Sequence, residues 1–296
     1  MKRRAFLTAP LLAAAPAPGN FIDAHVHVWT NDFARYPLDE GFQVAQMRVP
    51  RFLPEDILSL SKPSGVNRIV LIQMSYYRFD NSYMLDVIRA HPSVFRGIAI
   101  VDWNADHPGE RMRDLARQGV RGFRISPGGR APDLWLQNRG LHEIFATGTA
   151  ENLAMCPLID PLALPALNQQ CEKYPDTPVI VDHLSRVGGN GTILNTDIDQ
   201  LCKLARHPRV KVKLSAFYAL GAKKPPHLDL VPLIRRVYDA FGPQRLMWAS
   251  DCPFQTLAES YEDSISLIRD RLDFLSSTDK DWILRRTAEE FFFSGH

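Results

Sequence analysis

The chain has 296 residues, 45% hydrophobic and 23% charged, so it can bury a large core and is too apolar to be intrinsically disordered. Its 35 basic and 33 acidic residues leave +2; without the cations Lys2, Arg3 and Arg4 the body stands at −1. That near-neutral balance argues against a nucleic-acid groove or an anionic membrane surface as the main partner.

The N-terminus reads Met1-Lys2-Arg3-Arg4-Ala5-Phe6-Leu7-Thr8, runs through an alanine-rich apolar stretch to Ala15, and breaks at Pro16-Ala17-Pro18-Gly19. A basic start, a short apolar run and small residues before a break have the form of a bacterial secretion signal. Arg3-Arg4-x-Phe6-Leu7 resembles the twin-arginine export motif, whose pathway carries folded proteins. Residues 1–18 are therefore expected to be an export signal read by the twin-arginine machinery, cleaved between Ala13 and Gly19. The body, 19–296, would then be periplasmic. The competing reading is a disordered basic tail or a misassigned start. The apolar run is shorter than the roughly 20 residues that span a bilayer, so no membrane span is expected.

From Asn20 onward eight short apolar runs rich in β-branched residues recur: Phe21–Val28, Arg68–Gln73, Gly97–Val101, Val120–Ile125, Leu153–Ile159, Pro178–Asp182, Val210–Leu214 and Arg245–Ser250. Segments of helical periodicity separate most of them. The rhythm is that of parallel βαβ units, and eight units predict a single-domain (β/α)8 TIM barrel. Helices are predicted at Asn81–Arg89, Gly109–Gln118, Ala163–Lys173 and Ile198–Ala205, each stopped by a Gly or Pro breaker. The first connection, Thr30 to Asn67, is long and rich in proline and aromatic residues, and is expected to include a loop over the barrel mouth. His91, His107 and His207 precede prolines in turns expected outside the core, which makes them poor catalytic candidates. Cys156, Cys171, Cys202 and Cys252 form no CxxC pair and are read as small apolar residues.

Strand one, Phe21-Ile22-Asp23-Ala24-His25-Val26-His27-Val28, alternates. Strict alternation would turn Asp23, His25 and His27 to the barrel axis, and Ile22, Ala24, Val26 and Val28 to the helices. Two imidazoles two residues apart can grip a divalent metal, and neutral imidazole suits zinc. Strand eight ends in Asp251, then Cys252-Pro253. In a barrel, strands one and eight are neighbours and the C-terminal strand ends carry the active site, so Asp251 is expected beside His25 and His27. The bland reading of a lone strand-end Asp is a helix cap. Strand six ends in His183, able to polarise a carbonyl or shuttle a proton, with Asp182 setting its orientation. Arg124 on strand four would face inward if Gly122 does, and could clamp a substrate carboxylate. Lys213 is a possible anion partner, unless Lys211 and Lys213 form an exposed strand face. Tyr76, Trp103 and Tyr218 are candidate pocket walls, although loop aromatics more often serve packing.

Together Ile22-Asp23-Ala24-His25-Val26-His27, Val181-Asp182-His183-Leu184, Val212-Lys213-Leu214-Ser215 and Leu246-Met247-Trp248-Ala249-Ser250-Asp251-Cys252-Pro253 resemble the amidohydrolase-2 family of the amidohydrolase superfamily. The nearest likeness is to its lactonase-like branch of metal-dependent hydrolases, which includes sugar-lactone and muconolactone-type hydrolases. The resemblance runs from Asn20 to the C-terminal helix. It implies that His25 and His27 are metal ligands or their remnants, that Asp251 is the base on the attacking water, and that His183 stabilises or protonates the oxygen; Asp251 is the candidate third metal ligand. Many members place a histidine at the end of strand five, where this chain has Cys156-Pro157-Leu158-Ile159-Asp160. That departure leaves open whether the divalent metal, zinc by its ligands, is bound or catalysis is metal-independent.

The expected reaction is hydrolysis of a lactone or related cyclic ester, carboxylate-bearing or sugar-derived. The alternatives are nonoxidative decarboxylation of an aromatic or unsaturated acid, and a non-catalytic exported protein that binds a small acid.

Overall fold

The computed structural model describes residues 19–126 and 136–294. The expected export segment, 1–18, lies outside the described residues. Eight parallel strands in chain order form one sheet: β1 Phe21–Val26, β2 Val66–Ile72, β3 Phe95–Ala99, β4 Val120–Ile125, β5 Ala154–Pro157, β6 Val179–Val181, β7 Val210–Leu214 and β8 Leu246–Trp248. Helices alternate with them, α1 Pro54–Ser61, α2 Ser82–Ala90, α3 Pro108–Ala116, α4 Arg139–Glu151, α5 Leu164–Lys173, α6 Asn195–Lys203 and α7 Val231–Phe241, with α8 Tyr261–Ser266 and α9 Ser277–Asp281 after β8. This is a (β/α)8 TIM barrel. The four helices anticipated from periodicity are α2, α3, α5 and α6. The long first connection carries α1 and an antiparallel bridge between Trp29 and Phe52. No described helix is long and apolar enough to cross a membrane.

Two apolar clusters divide the core. Ile22, Ala24, Val70, Ile72, Ile98, Ala154, Cys156, Ile180, Met247 and Ala249 fill the barrel, with Phe292 of the C-terminal segment packed on them. A larger cluster lies between the strands' outer faces and the helices. All four cysteines are free thiols, three buried and Cys202 half-buried. His207, expected outside the core, is buried and pairs with Asn168 Oδ1 at 3.0 Å. Its ring fills the turn that enters β7, a structural use.

The inner cluster corrects the expected facing of strand one. Ile22 and Ala24 point into the barrel, while Asp23 points to its outer side. The reversal has a local cause. Asp23 pairs with Ile69 and Val26 with Leu71, so three steps on β1 match two on β2, the signature of a β-bulge. The extra residue turns both Ala24 and His25 inward.

Between β8 and β1 no regular ladder forms. Closure rests on one bridge, Val26 to Cys252, with His27 N–H donating to Cys252 O (2.9 Å) and Asp251 N–H to His25 O (3.0 Å). The Asp23 carboxyl accounts for the rest. It accepts from His25 N (3.1 Å), Ser250 N (3.0 Å), Ser250 Oγ (2.5 Å) and Tyr261 Oη (2.8 Å), joining β1, β8 and α8. Burial raises its pKa from 3.8 to about 6, against the opposing pull of these donors.

Because Asp23 binds its proton more tightly folded than unfolded, its contribution to stability falls as pH rises from about 4 to 6 and is level above that. Asp23→Asn is expected to remove this slope, on the order of 2 to 3 kcal/mol across the window, as read by urea unfolding of both proteins. Parallel pH profiles would refute the assignment.

Candidate active site

The strand ends bring His25, His27, Arg124, Asp182, His183, Lys213 and Asp251 together at the C-terminal mouth. A cavity of about 630 Å³ opens over them, lined by His27, Arg124, His183, Tyr218, Asp251 and Phe254 among others. Its outer rim carries Arg186 and Lys223, which the sequence did not single out.

At the base lies an ionic layer closed to solvent. Asp182 Oδ1 is 3.0 Å from Lys213 Nζ and 3.3 Å from His25 Nδ1, and Asp182 Oδ2 is 3.0 Å from Arg124 NH2. Burial works against the Asp182 charge, but Lys213, His25 and Arg124 outweigh it and hold the carboxyl well below its usual range. Asp182 therefore orients His25, not His183 as expected. The ring of His183 is held by Ser215, with Nδ1 2.8 Å from Ser215 Oγ. Strand alternation explains the difference: Asp182 is the inward residue at the end of β6, whereas His183 begins a turn in which His183, Leu184, Ser185 and Arg186 all take positive φ.

Each imidazole has its Nδ1 tied to a partner outside the centre: Asp182 for His25, Ser215 for His183, and the Ile72 carbonyl (3.0 Å) for His27. A carbonyl can only accept, so His27 carries its proton on Nδ1. The same assignment suits His25, whose Nε2 accepts from Arg124 NH2 at 2.9 Å. Burial, ahead of the Lys213 charge, holds His25 well below the ordinary imidazole range, and burial likewise lowers His183. With Nδ1 tethered, the neutral rings of His25 and His27 present their Nε2 lone pairs inward, while Ser215, which can donate or accept, lets His183 Nε2 hold either a lone pair or a proton.

Those lone pairs meet Asp251. His25 Nε2 is 3.3 Å from His27 Nε2, both Nε2 atoms are 3.4 Å from Asp251 Oδ1, and His183 Nε2 is 3.9 Å from Asp251 Oδ2. Burial raises the Asp251 pKa, but any positive charge or donated proton on the surrounding imidazoles, His183 foremost, more than reverses this and holds the carboxyl below its usual range. Tyr218 Oη donates to Asp251 Oδ2 at 2.7 Å, leaving Oδ1 toward His25 and His27. Asp251 itself sits at φ 66. A non-glycine residue in that region stores strain, and such strain collects at functional sites. Phe254, unmarked in the sequence reading, stands edge-on to His27 at 5.5 Å and stacks on Trp29 at 5.8 Å.

Arg124 NH2 supplies a proton to the His25 lone pair, but His27 Nε2 and Asp251 Oδ1, 3.4 Å apart, face each other with none between them, so the donor set fits a divalent metal that would replace the Arg124 bond at His25. One ligand atom each from His25, His183 and Asp251 lies within 4.8 Å of the others. His27 Nε2 approaches the same point from the other side. The carboxylate behind His25 is the outer partner that metal-bound histidines commonly use.

The remaining candidates separate. Tyr218 lines the cavity through its bond to Asp251. Arg124 lines the cavity floor. Lys213 is fully buried beneath it and neutralises Asp182, so it offers substrate no contact. Tyr76 is buried behind the mouth against Trp29 (5.4 Å) and Phe42 (5.5 Å). Trp103 lines a separate cavity of about 260 Å³ with Asn104, Asn138 and Glu143.

A parallel eight-stranded barrel with strand-end histidines and an aspartate at its C-terminal face defines a hydrolase of the amidohydrolase type. A family model described as Amidohydrolase matches residues 22–293, and the chain belongs to that family. It is 30% identical over 249 residues to an L-fucono-1,5-lactonase of Burkholderia ambifaria, covering 82% of this chain and 83% of the relative. A 4-sulfomuconolactone hydrolase of Rhizobium radiobacter is 28% identical over 252 residues, covering 83% and 79%. A solved amidohydrolase from Burkholderia multivorans shares the fold with TM-score 0.79 at 23% identity, over 92% of this chain and 98% of that one. The chain is thus an enzyme of the lactonase-like branch.

Lys213→Met is expected to destabilise the fold by about 3–5 kcal/mol, because it strips a buried carboxylate of its lysine partner. Thermal unfolding alongside Lys213→Met/Asp182→Asn tests this. The double variant should recover part of the loss, and no recovery would show that the ion pair is not the cause.

Proposed function

We propose that the enzyme hydrolyses a lactone bearing a carboxylate or derived from a sugar acid. The observation that carries this is Asp251: an ionised carboxylate held by Tyr218 on a strained strand end, at the floor of a cavity sized for a small molecule. Asp251 takes a proton from water in the cavity. The water oxygen bonds to the lactone carbonyl carbon, and the ring C–O bond then breaks. The proton returns to the departing alkoxide, so the ring opens to a hydroxy acid without any other reactant. His183, steadied by Ser215, stands where it can donate to the oxygen that gains charge. Arg124, braced by Asp182 at the cavity floor, faces a substrate carboxylate.

The donor set of imidazole nitrogens and one carboxylate suits zinc, held by His25, His183 and Asp251 with His27 adjoining. Such an ion supplies Lewis-acid polarisation of the carbonyl and a more acidic water. The names of the two curated relatives, one acting on a sugar lactone and one on a sulfonated lactone, support the substrate class. We further propose export of the chain, on the Arg3-Arg4-x-Phe6-Leu7 pattern and the apolar run behind it.

Asp251→Asn is expected to abolish hydrolysis of a panel of sugar-acid and unsaturated acidic lactones while leaving the melting temperature within a few degrees of the parent. Proton release measures turnover, and near-normal activity in the variant would sink the assignment. Release of carbon dioxide would instead point to decarboxylation. In the parent, chelation is expected to abolish turnover and zinc to restore it. Full activity after verified metal removal would move the oxyanion-stabilising role to His25, His27 and His183.

A further inference from the structure

On the barrel's opposite face, where β3 and β4 begin and α2 and α3 end, a second cavity of about 530 Å³ is lined by four arginines, Arg89, Arg96, Arg117 and Arg121, and among the described residues by no acidic one. Two of the four are neutralised nearby: Arg89 by Asp86 at 2.6 Å and Arg117 by Asp114. The other two are not. Among the described residues, Arg96 donates only to the carbonyls of Pro92 and Phe95 (2.9 Å for Phe95), and Arg121 only to those of Ala116 (3.0 Å) and Val120 (2.9 Å). Both use NH1 alone for these bonds, which leaves Nε and NH2 of each guanidinium as spare donors.

Capping of chain ends accounts for the NH1 bonds, and Arg96 also lies over the Phe293 ring at 5.2 Å, but among the described residues neither half-buried cation has an acidic partner. Burial lowers the pKa of both, and for Arg121 the charge of Arg96 adds to it, so the pair bears a mutual repulsion. A ligand that brings two negative charges would relieve it. Leu85 and Ile88 add an apolar wall to the same cavity.

We propose that this cavity binds a phosphate monoester, its dianionic head between Arg96 and Arg121 and its organic part against Leu85 and Ile88. A phosphate monoester carries nearly two charges near neutral pH and several acceptor oxygens at one centre, which matches two guanidiniums with spare donors on one cavity. The site lies on the face away from the strand ends that hold Asp251, so occupancy does not compete with substrate.

Calorimetric titration of the full chain with phenyl phosphate and with inorganic phosphate tests the proposal. Saturable one-to-one binding is expected, tighter for phenyl phosphate because its ring covers the apolar wall. Arg96→Gln combined with Arg121→Gln should weaken binding by about tenfold or more, with lactone turnover unchanged. Gln118→Glu serves as the second variant, since it adds a carboxylate to the cavity wall while both arginine caps stay in place; it should weaken binding several-fold. Absence of saturable binding, or binding that survives both variants, overturns the site. Binding lost in Arg124→Gln alone overturns it too, because the anion would then lie in the catalytic cavity.

Discussion

The carboxyl of Asp23 bears more of this structure than any other single group, because the barrel closes where its sheet is weakest. Six of the eight strand junctions pair over three or more residues, β5 and β6 share the single pair Met155–Val179, and β8 meets β1 through one bridge and two backbone bonds. Asp23 gathers the amide of His25, the amide and hydroxyl of Ser250 and the phenol of Tyr261. Those amides belong to a metal-competent histidine and to the residue before Asp251. The spacing between Asp251 and His25 is therefore set from the outer side of the sheet, by a carboxyl closed off from the cavity. Its cost is burial of a carboxyl in a place that raises its pKa to about 6.

The bulge at Ala24–His25 follows from the same closure. A regular strand would send Asp23 and His25 to one face. The site needs them on opposite faces, one to tie the seam and one to meet Asp251. One extra residue satisfies both, and His27, just past the end of β1, inherits the inward direction.

This also marks how far the sequence is legible. Most of the strands read as short apolar runs because parallel barrel strands are buried on both faces, although Arg121 and Arg124 interrupt β4 and Lys211 and Lys213 interrupt β7, and the strand ends located His25, His27, His183 and Asp251 without structural help. The facing of Asp23 was not legible, since a period-two reading has no term for a bulge. Nor was α4. Its Gly140 and Gly148 weaken the helical pattern, yet a Cβ at Gly140 would overlap the Trp103 carbonyl, so packing against the loop after β3 dictates the residue. Asp182 and Lys213 read as adjuncts of the site because their pairing joins β6 to β7 across the barrel interior, a contact that separation along the chain conceals.

Charge within the barrel constrains what the mouth can accept. Asp182 and Asp251 balance Lys213 and Arg124, so the ionic layer and the base together are neutral. A divalent cation entering beside Asp251 brings two charges that nothing in this set offsets, and in a poorly screened interior that excess is costly. In the proposed reaction, an anionic substrate and the charge that develops on its carbonyl oxygen would restore the balance. A site built this way stabilises the transition state more than the resting centre. The bracing of Arg124 by Asp182 and His25 also holds its guanidinium at the floor, where it cannot fold onto Asp251 and neutralise the carboxylate.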